Sequence, residues 1–346
     1  MNFFSNIFRL CVMYALASVI GVLMLIVTAF TIIFKGPRWY FKRNVRNSRP
    51  ECMEDASLGS HGFLRTQDVR LHYVAAGSCS KPLMLFLHGF PECWYSWRYQ
   101  LKEFKKDYRV VAVDMRGYCE SEVLSGMHNY EMSKLVGDVK GVIEALGYSS
   151  CVLVAHDWGG LVAWTFAMDY PDLVDKLICM NVPHPDRFNE HYYDNIRQKY
   201  LSWYMIFFQI PVLPEMMISA GDYDSIRDCY KGDQMGLRNK QNVTDDDVEA
   251  FKFAASQPGS CSAAINYYRA WWRYPAEPRH NPVVTSPSLL IWGEEDKAFD
   301  KDILPGHNKF VKDLTLKKVS GASHFVQQDE PVIVNIIMRE FLGSSE

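Results

Sequence analysis

His156-Asp157-Trp158-Gly159-Gly160 is the stretch on which the fold turns. It follows an apolar run, Cys151-Val152-Leu153-Val154-Ala155, that reads as a buried strand. It precedes Leu161-Val162-Ala163-Trp164-Thr165-Phe166-Ala167-Met168, which reads as a helix. A small residue at 155 and glycines at 159 and 160 bracket a carboxylate at the bend. This is the strand–turn–helix setting of a nucleophile elbow, with Asp157 where serine is more usual. An aspartate nucleophile forms an alkyl ester with a carbon electrophile, which points away from peptide or ester cleavage. The unpaired amides at the helix start favour an anion and keep the carboxylate ionised. The competing reading is an aspartate that only caps its helix.

Working outward, Val69-Arg70-Leu71-His72-Tyr73-Val74 alternates like a half-exposed strand. The run 82–87 is continuously apolar, and 108–113 is apolar apart from Arg109, as strands buried on both faces should be. Further strands are expected at 177–180, 288–292 and 314–319, with helices near 97–105, 131–146 and 332–341. Such alternation implies an α/β fold with a mostly parallel sheet wrapped by helices. Residues 183–280 break the rhythm, being rich in Tyr, Trp, Phe and Met at helical spacing. They read as a helical cap inserted between core segments 61–182 and 281–346. A cap there would close over the strand ends, where open α/β sheets bind ligands.

Two distant features give Asp157 partners. Ile291-Trp292-Gly293-Glu294-Glu295-Asp296 places an acid just after a strand, and Gly321-Ala322-Ser323-His324-Phe325 places a histidine after the next. Nucleophile, acid, histidine is the chain order of triads built on such an elbow. Asp296 fits the loop spacing better than Glu294, Glu295 or Asp300. His88-Gly89-Phe90-Pro91-Glu92 follows a strand directly and occupies the loop that supplies an oxyanion-hole amide. The backbone N–H groups of Phe90 and Trp158 are the expected donors. A plain turn is the alternative reading of that loop.

With these residues assembled, the chain resembles the epoxide hydrolases of the α/β-hydrolase superfamily, and within them the membrane-anchored, epoxide-hydrolase-4-like group. The resemblance spans roughly residues 60–342. It rests on His88–Glu92, Asp114-Met115-Arg116-Gly117-Tyr118, His156–Gly160, Asn181-Val182-Pro183-His184-Pro185 and Gly321–His324. It implies two cap tyrosines that protonate the epoxide oxygen, matched here by Tyr204 and Tyr268, with Tyr267 as the competing neighbour. It also implies a pocket touching Trp158, Met205 and Tyr267. Cys119 departs from the resemblance, standing where glycine is common, and Met205 stands where a polar residue is common. The expected reaction opens an epoxide to a vicinal diol through a hydroxyalkyl ester on Asp157. His324, oriented by Asp296, acts as general base on water in the second step. No cofactor or metal is implied. A haloalkane dehalogenase would carry Asn rather than Phe90, and a membrane-tethered binding protein of the same shape is the non-enzymatic alternative.

The 346 residues, 48% apolar, are ample for one large core, and the net charge of -3 gives no sign of nucleic-acid binding. Nine scattered cysteines without a CxxC pair argue against a disulfide framework or a zinc site. Leu10 to Phe34 holds no charged residue. As a helix it would extend about 37 Å at 1.5 Å per residue, enough for a ~30 Å hydrocarbon core. A membrane anchor is expected at 10–34, since the apolar core of a cleaved signal runs only about 7–15 residues. Lys35, Arg38, Lys42, Arg43, Arg46 and Arg49 form a basic linker at 35–60, against Arg9 alone on the other side. That asymmetry places the catalytic domain of a single-pass protein in the cytosol, with the endoplasmic reticulum as one candidate membrane. Asn242-Val243-Thr244 would be a glycosylation acceptor in the opposite topology. The aromatic cap and the anchor suggest a hydrophobic, lipid-derived epoxide.

Overall fold

The computed structural model describes residues 3–275 and 282–343. Eight strands form one sheet: β1 (Ser60–Arg65), β2 (Arg70–Ala76), β3 (Leu83–Leu87), β4 (Arg109–Val113), β5 (Cys151–His156), β6 (Val174–Met180), β7 (Ser288–Gly293) and β8 (Leu314–Val319). They are ordered β1-β2-β4-β3-β5-β6-β7-β8. The β1–β2 and β2–β4 pairs are antiparallel, and all pairs from β4 to β8 are parallel. The central strands are buried on both faces, which explains their unbroken apolar runs. Successive side chains alternate between the two layers. Leu85 and Leu153 enter the core on one side, whereas Met84, Phe86, Val152 and Val154 enter the core on the other.

The helices are α1 (Phe3–Lys35), α2 (Pro37–Tyr40), α3 (Arg98–Phe104), α4 (Met132–Ala145), α5 (Asp157–Asp169), α6 (Pro185–Asp194), α7 (Ile196–Leu201), α8 (Trp203–Phe207), α9 (Leu213–Lys231), α10 (Asp245–Ser256), α11 (Ser260–Arg273), α12 (Val326–Asp329) and α13 (Pro331–Leu342). The segments α6 to α11 all fall between β6 and β7. The expected junction near residue 280 lies outside the described residues. Among the described residues one helix, over Phe8–Lys35, is long and apolar enough to cross a membrane. It does not stand free. Met13, Ala17 and Thr28 are buried along one stripe, with Ile20 and Met24 half-buried on the same side, at helical spacing.

Two features differ from the expectation. β1 had no counterpart in the sequence reading; its six residues are all partly or fully exposed, so no apolar run marks it. The basic stretch 35–60 is not a free linker. Tyr40, Met53 and Leu58 are buried, and Arg46 grips both oxygens of Asp222 at 2.8 Å. Asp222 lies in a break of α9, where Gly221, Asp222 and Tyr223 are left-handed with φ near 60°. The basic residues are thus spent partly on ion pairs with the helical segment.

Candidate active site

Asp157 closes the sharp turn from β5 into α5 with φ +48°. A non-glycine residue in the left-handed region is strained, and that strain projects the carboxylate off the sheet edge. The turn requires its glycines. A Cβ on Gly159 would collide with the carbonyl oxygens of Leu87 and His88, and one on Gly160 with the Val182 side chain. A Cβ on Gly89 would strike Asp157 itself. The loop after β3 can therefore approach closely, and the Phe90 N–H donates to Asp157 Oδ1 at 2.7 Å. Trp158 follows as the second residue of α5.

The other two expected partners converge on the same carboxylate. His324 Nε2 lies 3.6 Å from Asp157 Oδ2, and its Nδ1 lies 2.9 Å from Asp296 Oδ2. Asp296 is fixed in turn: its Oδ1 accepts from the N–H groups of Ala298 and Phe299 at 2.6 and 3.1 Å. Burial opposes charge on His324, but the carboxylates of Asp296 and Asp157 outweigh it and raise the imidazole to about 10. Burial likewise opposes charge on Asp157, yet His324 and the Phe90 amide hold its carboxyl below the usual range. The resting pair is imidazolium facing carboxylate. Glu294 and Glu295 are exposed, and Asp300 caps a short turn at Lys301–Ile303 away from His324.

Above Asp157 the helical segment brings in the two tyrosines. The Tyr204 and Tyr268 ring centres are 5.7 Å apart, and Tyr268 also stands edge-on to Trp158 at 4.9 Å and Phe90 at 5.5 Å. Burial pushes both phenols upward, followed by the Asp157 charge at Tyr204 and by Tyr204 and then Asp157 at Tyr268, so both keep their protons. Two compartments meet here. One is apolar and bounded by Trp158, Leu161, Met205 and Trp271; the other opens past Phe90, Trp203 and His324. Asp157, Tyr204 and Tyr268 border both.

Tyr267 is a correction. It borders neither compartment; its hydroxyl donates to the Arg116 carbonyl at 2.8 Å, and its ring backs Trp158 at 5.6 Å. Neighbours on a helix diverge by about 100°, so only one of Tyr267 and Tyr268 can face the cavity. Cys119 has φ +49°, which explains why glycine suits that position.

Residues 82–216 match the family model described as the alpha/beta hydrolase fold. The chain is 45% identical to epoxide hydrolase 4 of Homo sapiens over 89% of its own length and 86% of that protein. It is 47% identical to epoxide hydrolase 1 of Caenorhabditis elegans over 81% of its length and 70% of that protein. The chain belongs to the epoxide hydrolase family. Among solved structures, an epoxide hydrolase of Bacillus megaterium in complex with an inhibitor superposes with a TM-score of 0.70 at 36% identity. That match covers 82% of this chain and all of the other.

Against this epoxide hydrolase framework, three residues gain positions that the sequence reading did not give them. Asn181, with φ +45°, donates from Nδ2 to Asp296 Oδ2 at 2.6 Å and accepts from the Gly293 N–H at 2.9 Å. Glu92 is wholly buried and accepts four donors. The Gly89 N–H and His156 Nδ1 reach Oε2 at 2.7 and 2.6 Å; Gln327 and Gln328 reach Oε1 at 2.9 and 3.0 Å. His156 Nε2 faces the His324 carbonyl at 2.9 Å, and a carbonyl only accepts, so that nitrogen carries hydrogen. One buried Glu–His pair therefore ties together the Phe90 loop, the elbow and the His324 loop. Both residues sat inside quoted motifs, but nothing local signals a contact across 64 positions.

Proposed function

We propose that this epoxide hydrolase opens a hydrophobic epoxide to a vicinal diol through a hydroxyalkyl ester on Asp157. The observation that carries the reading is the convergence on one carboxylate of the Phe90 amide, His324 and two protonated tyrosines. Asp157 is ionised and needs no base to attack. One carboxylate oxygen bonds the epoxide carbon, the C–O bond breaks, and the oxygen takes a proton from Tyr204 or Tyr268. Esterification removes the negative charge at 157. The partner that helped hold the proton on His324 is then gone, and the imidazole releases it to the tyrosinate. His324, oriented by Asp296, next takes a proton from water. Hydroxide adds to the ester carbonyl, and the Phe90 and Trp158 amides hold the oxyanion. Collapse expels the diol alkoxide, which takes the acid proton and leaves Asp157 ionised and His324 charged. Paired phenols suit an oxygen leaving group better than a halide, which favours this reading over dehalogenation.

On the same reading, residues 183–280 act as a cap on the core formed by 61–182 and 281–346. The helix within 10–34 holds the enzyme at a membrane, with the catalytic domain on the cytosolic side. Asn242 supports that side: its Nδ2 donates to the Asp329 carbonyl at 2.9 Å, an interaction a glycan on that nitrogen would break. The apolar compartment and the anchor favour a long-chain, lipid-derived epoxide. Incubating purified enzyme with short and long epoxides and measuring diol tests the reading; absence of diol from every epoxide would reject it.

A further inference from the structure

The helix α1 is packed on the part of the molecule that frames the site. Met13 and Ala17 are buried with Ile206 of α8, and Ile210, just beyond α8, lies against Gly21. At the other side of this contact, Arg9 donates to the Trp272 carbonyl at 2.9 Å, and Arg273 lies over the Tyr14 ring. A flank of α1 about 100° round from that buried stripe is exposed and apolar, from Val12 through Leu16, Val19 and Leu23 to Phe30. The helix α8 carries Tyr204 and also Trp203, and Trp203 and Tyr200 border the open compartment. The rim has an apolar face with nothing on it: Ile196 is 81% exposed, Tyr200 75% and Tyr193 61%. Ile196 and Tyr200 are four apart on α7 and share one face. The exposed Arg197 and half-buried Lys199 flank that face, with the exposed Asp194 beside them.

Resting on the reading above of an anchored epoxide hydrolase, we propose that the mouth of the active site is held against a lipid surface. The rim Tyr193–Trp203 enters that surface beside α1, and a lipophilic epoxide reaches Asp157 from the bilayer. The logic is one of adjacency. An α1 lying along the lipid surface, with its exposed flank in lipid and its buried stripe on α8, holds there the mouth that α8 carries. Aromatic residues and cations at the rim are what a lipid interface accommodates. A substrate that partitions into hydrocarbon is concentrated where the mouth opens.

Depth measurement tests this without turnover. The full chain, carrying a genetically encoded fluorescent residue at position 196, is reconstituted in phosphatidylcholine vesicles containing anionic lipid. A second protein carries it at position 193, and a control at the exposed position 332 on α13. Brominated lipids are expected to quench positions 196 and 193, which acrylamide reaches poorly, and to leave position 332 unquenched. Quenching by acrylamide alone at 196 and 193 overturns the proposal, as does protection from both quenchers, which would mean a protein partner covers the rim. A kinetic arm reads the consequence. Ile196→Glu is expected to lower kcat/KM about tenfold for a long-chain epoxide dissolved in vesicles, because a carboxylate is costly in lipid. Turnover of a small water-soluble epoxide should be unchanged. Equal effects on both substrates, or none, contradict delivery from lipid. Failure of the unsubstituted protein to turn over either epoxide counts against the function alone, and the quenching result still decides where the mouth lies.

Discussion

In the resting site the proton belongs to His324, raised to about 10 by Asp296 and Asp157, so the base of the second step begins unavailable. On the proposed mechanism, esterification of Asp157 releases that proton, so the second step can only follow the first. The direct check is an NMR titration of the His324 ring. In the free enzyme it should remain charged well above neutrality, and in Asp157→Asn its titration should move downward. A histidine held above its unfolded value of about 6.5 stabilises the fold fully below that pH. The contribution is lost as pH rises through about 10. The urea midpoint of the wild type should therefore fall from pH 7 to 10 more steeply than that of His324→Gln. Glu92 makes a different prediction. Glu92→Gln keeps the volume but replaces an acceptor of four donors, so it should cost about 2–4 kcal/mol of stability. It should also lower kcat roughly tenfold or more with KM little changed, since it positions the His324 loop rather than touching substrate. A change confined to KM would contradict that role.

At the level of elements, the elbow depends on backbone contact between α5 and the end of β3. Gly159→Ala forces a methyl against the Leu87 and His88 carbonyls and should cost at least about 2 kcal/mol in urea unfolding. β3 and β5 were legible because strands buried on both faces carry unbroken apolar runs, β4, β6 and β7 because most of each is such a run, and the triad because each member follows a strand. β1 was hidden because its partly exposed residues leave no pattern. The choice between Tyr267 and Tyr268 needed the phase of α11 on its neighbours, which two adjacent tyrosines cannot reveal. Arg46 read as linker charge because its partner Asp222 lies 176 residues away. Arg46→Ala leaves a buried carboxylate at the break in α9 with the hydrogen bonds from Asn44 but without its guanidinium, and should lower stability by about 2 kcal/mol. Asn181, Glu92 and His156 were hidden for the same reason as Arg46: long-range side-chain contacts have no local signature.

Taken whole, the molecule divides the labour of one reaction between two sources. The sheet supplies Asp157, Asp296, His324 and the Phe90 amide on strand ends fixed by parallel pairing. The helices between β6 and β7 supply the tyrosines and the apolar walls, and α1 packs on those same helices. On the proposed mechanism, both sources serve one intermediate, the ester on Asp157. Intact-protein mass spectrometry of His324→Gln after exposure to an accepted epoxide tests that claim most directly. A mass gain equal to one epoxide, located on Asp157 by peptide mapping and absent from Asp157→Asn, is the required result. An unmodified His324→Gln protein that still forms diol, or an adduct on any other residue, would contradict it.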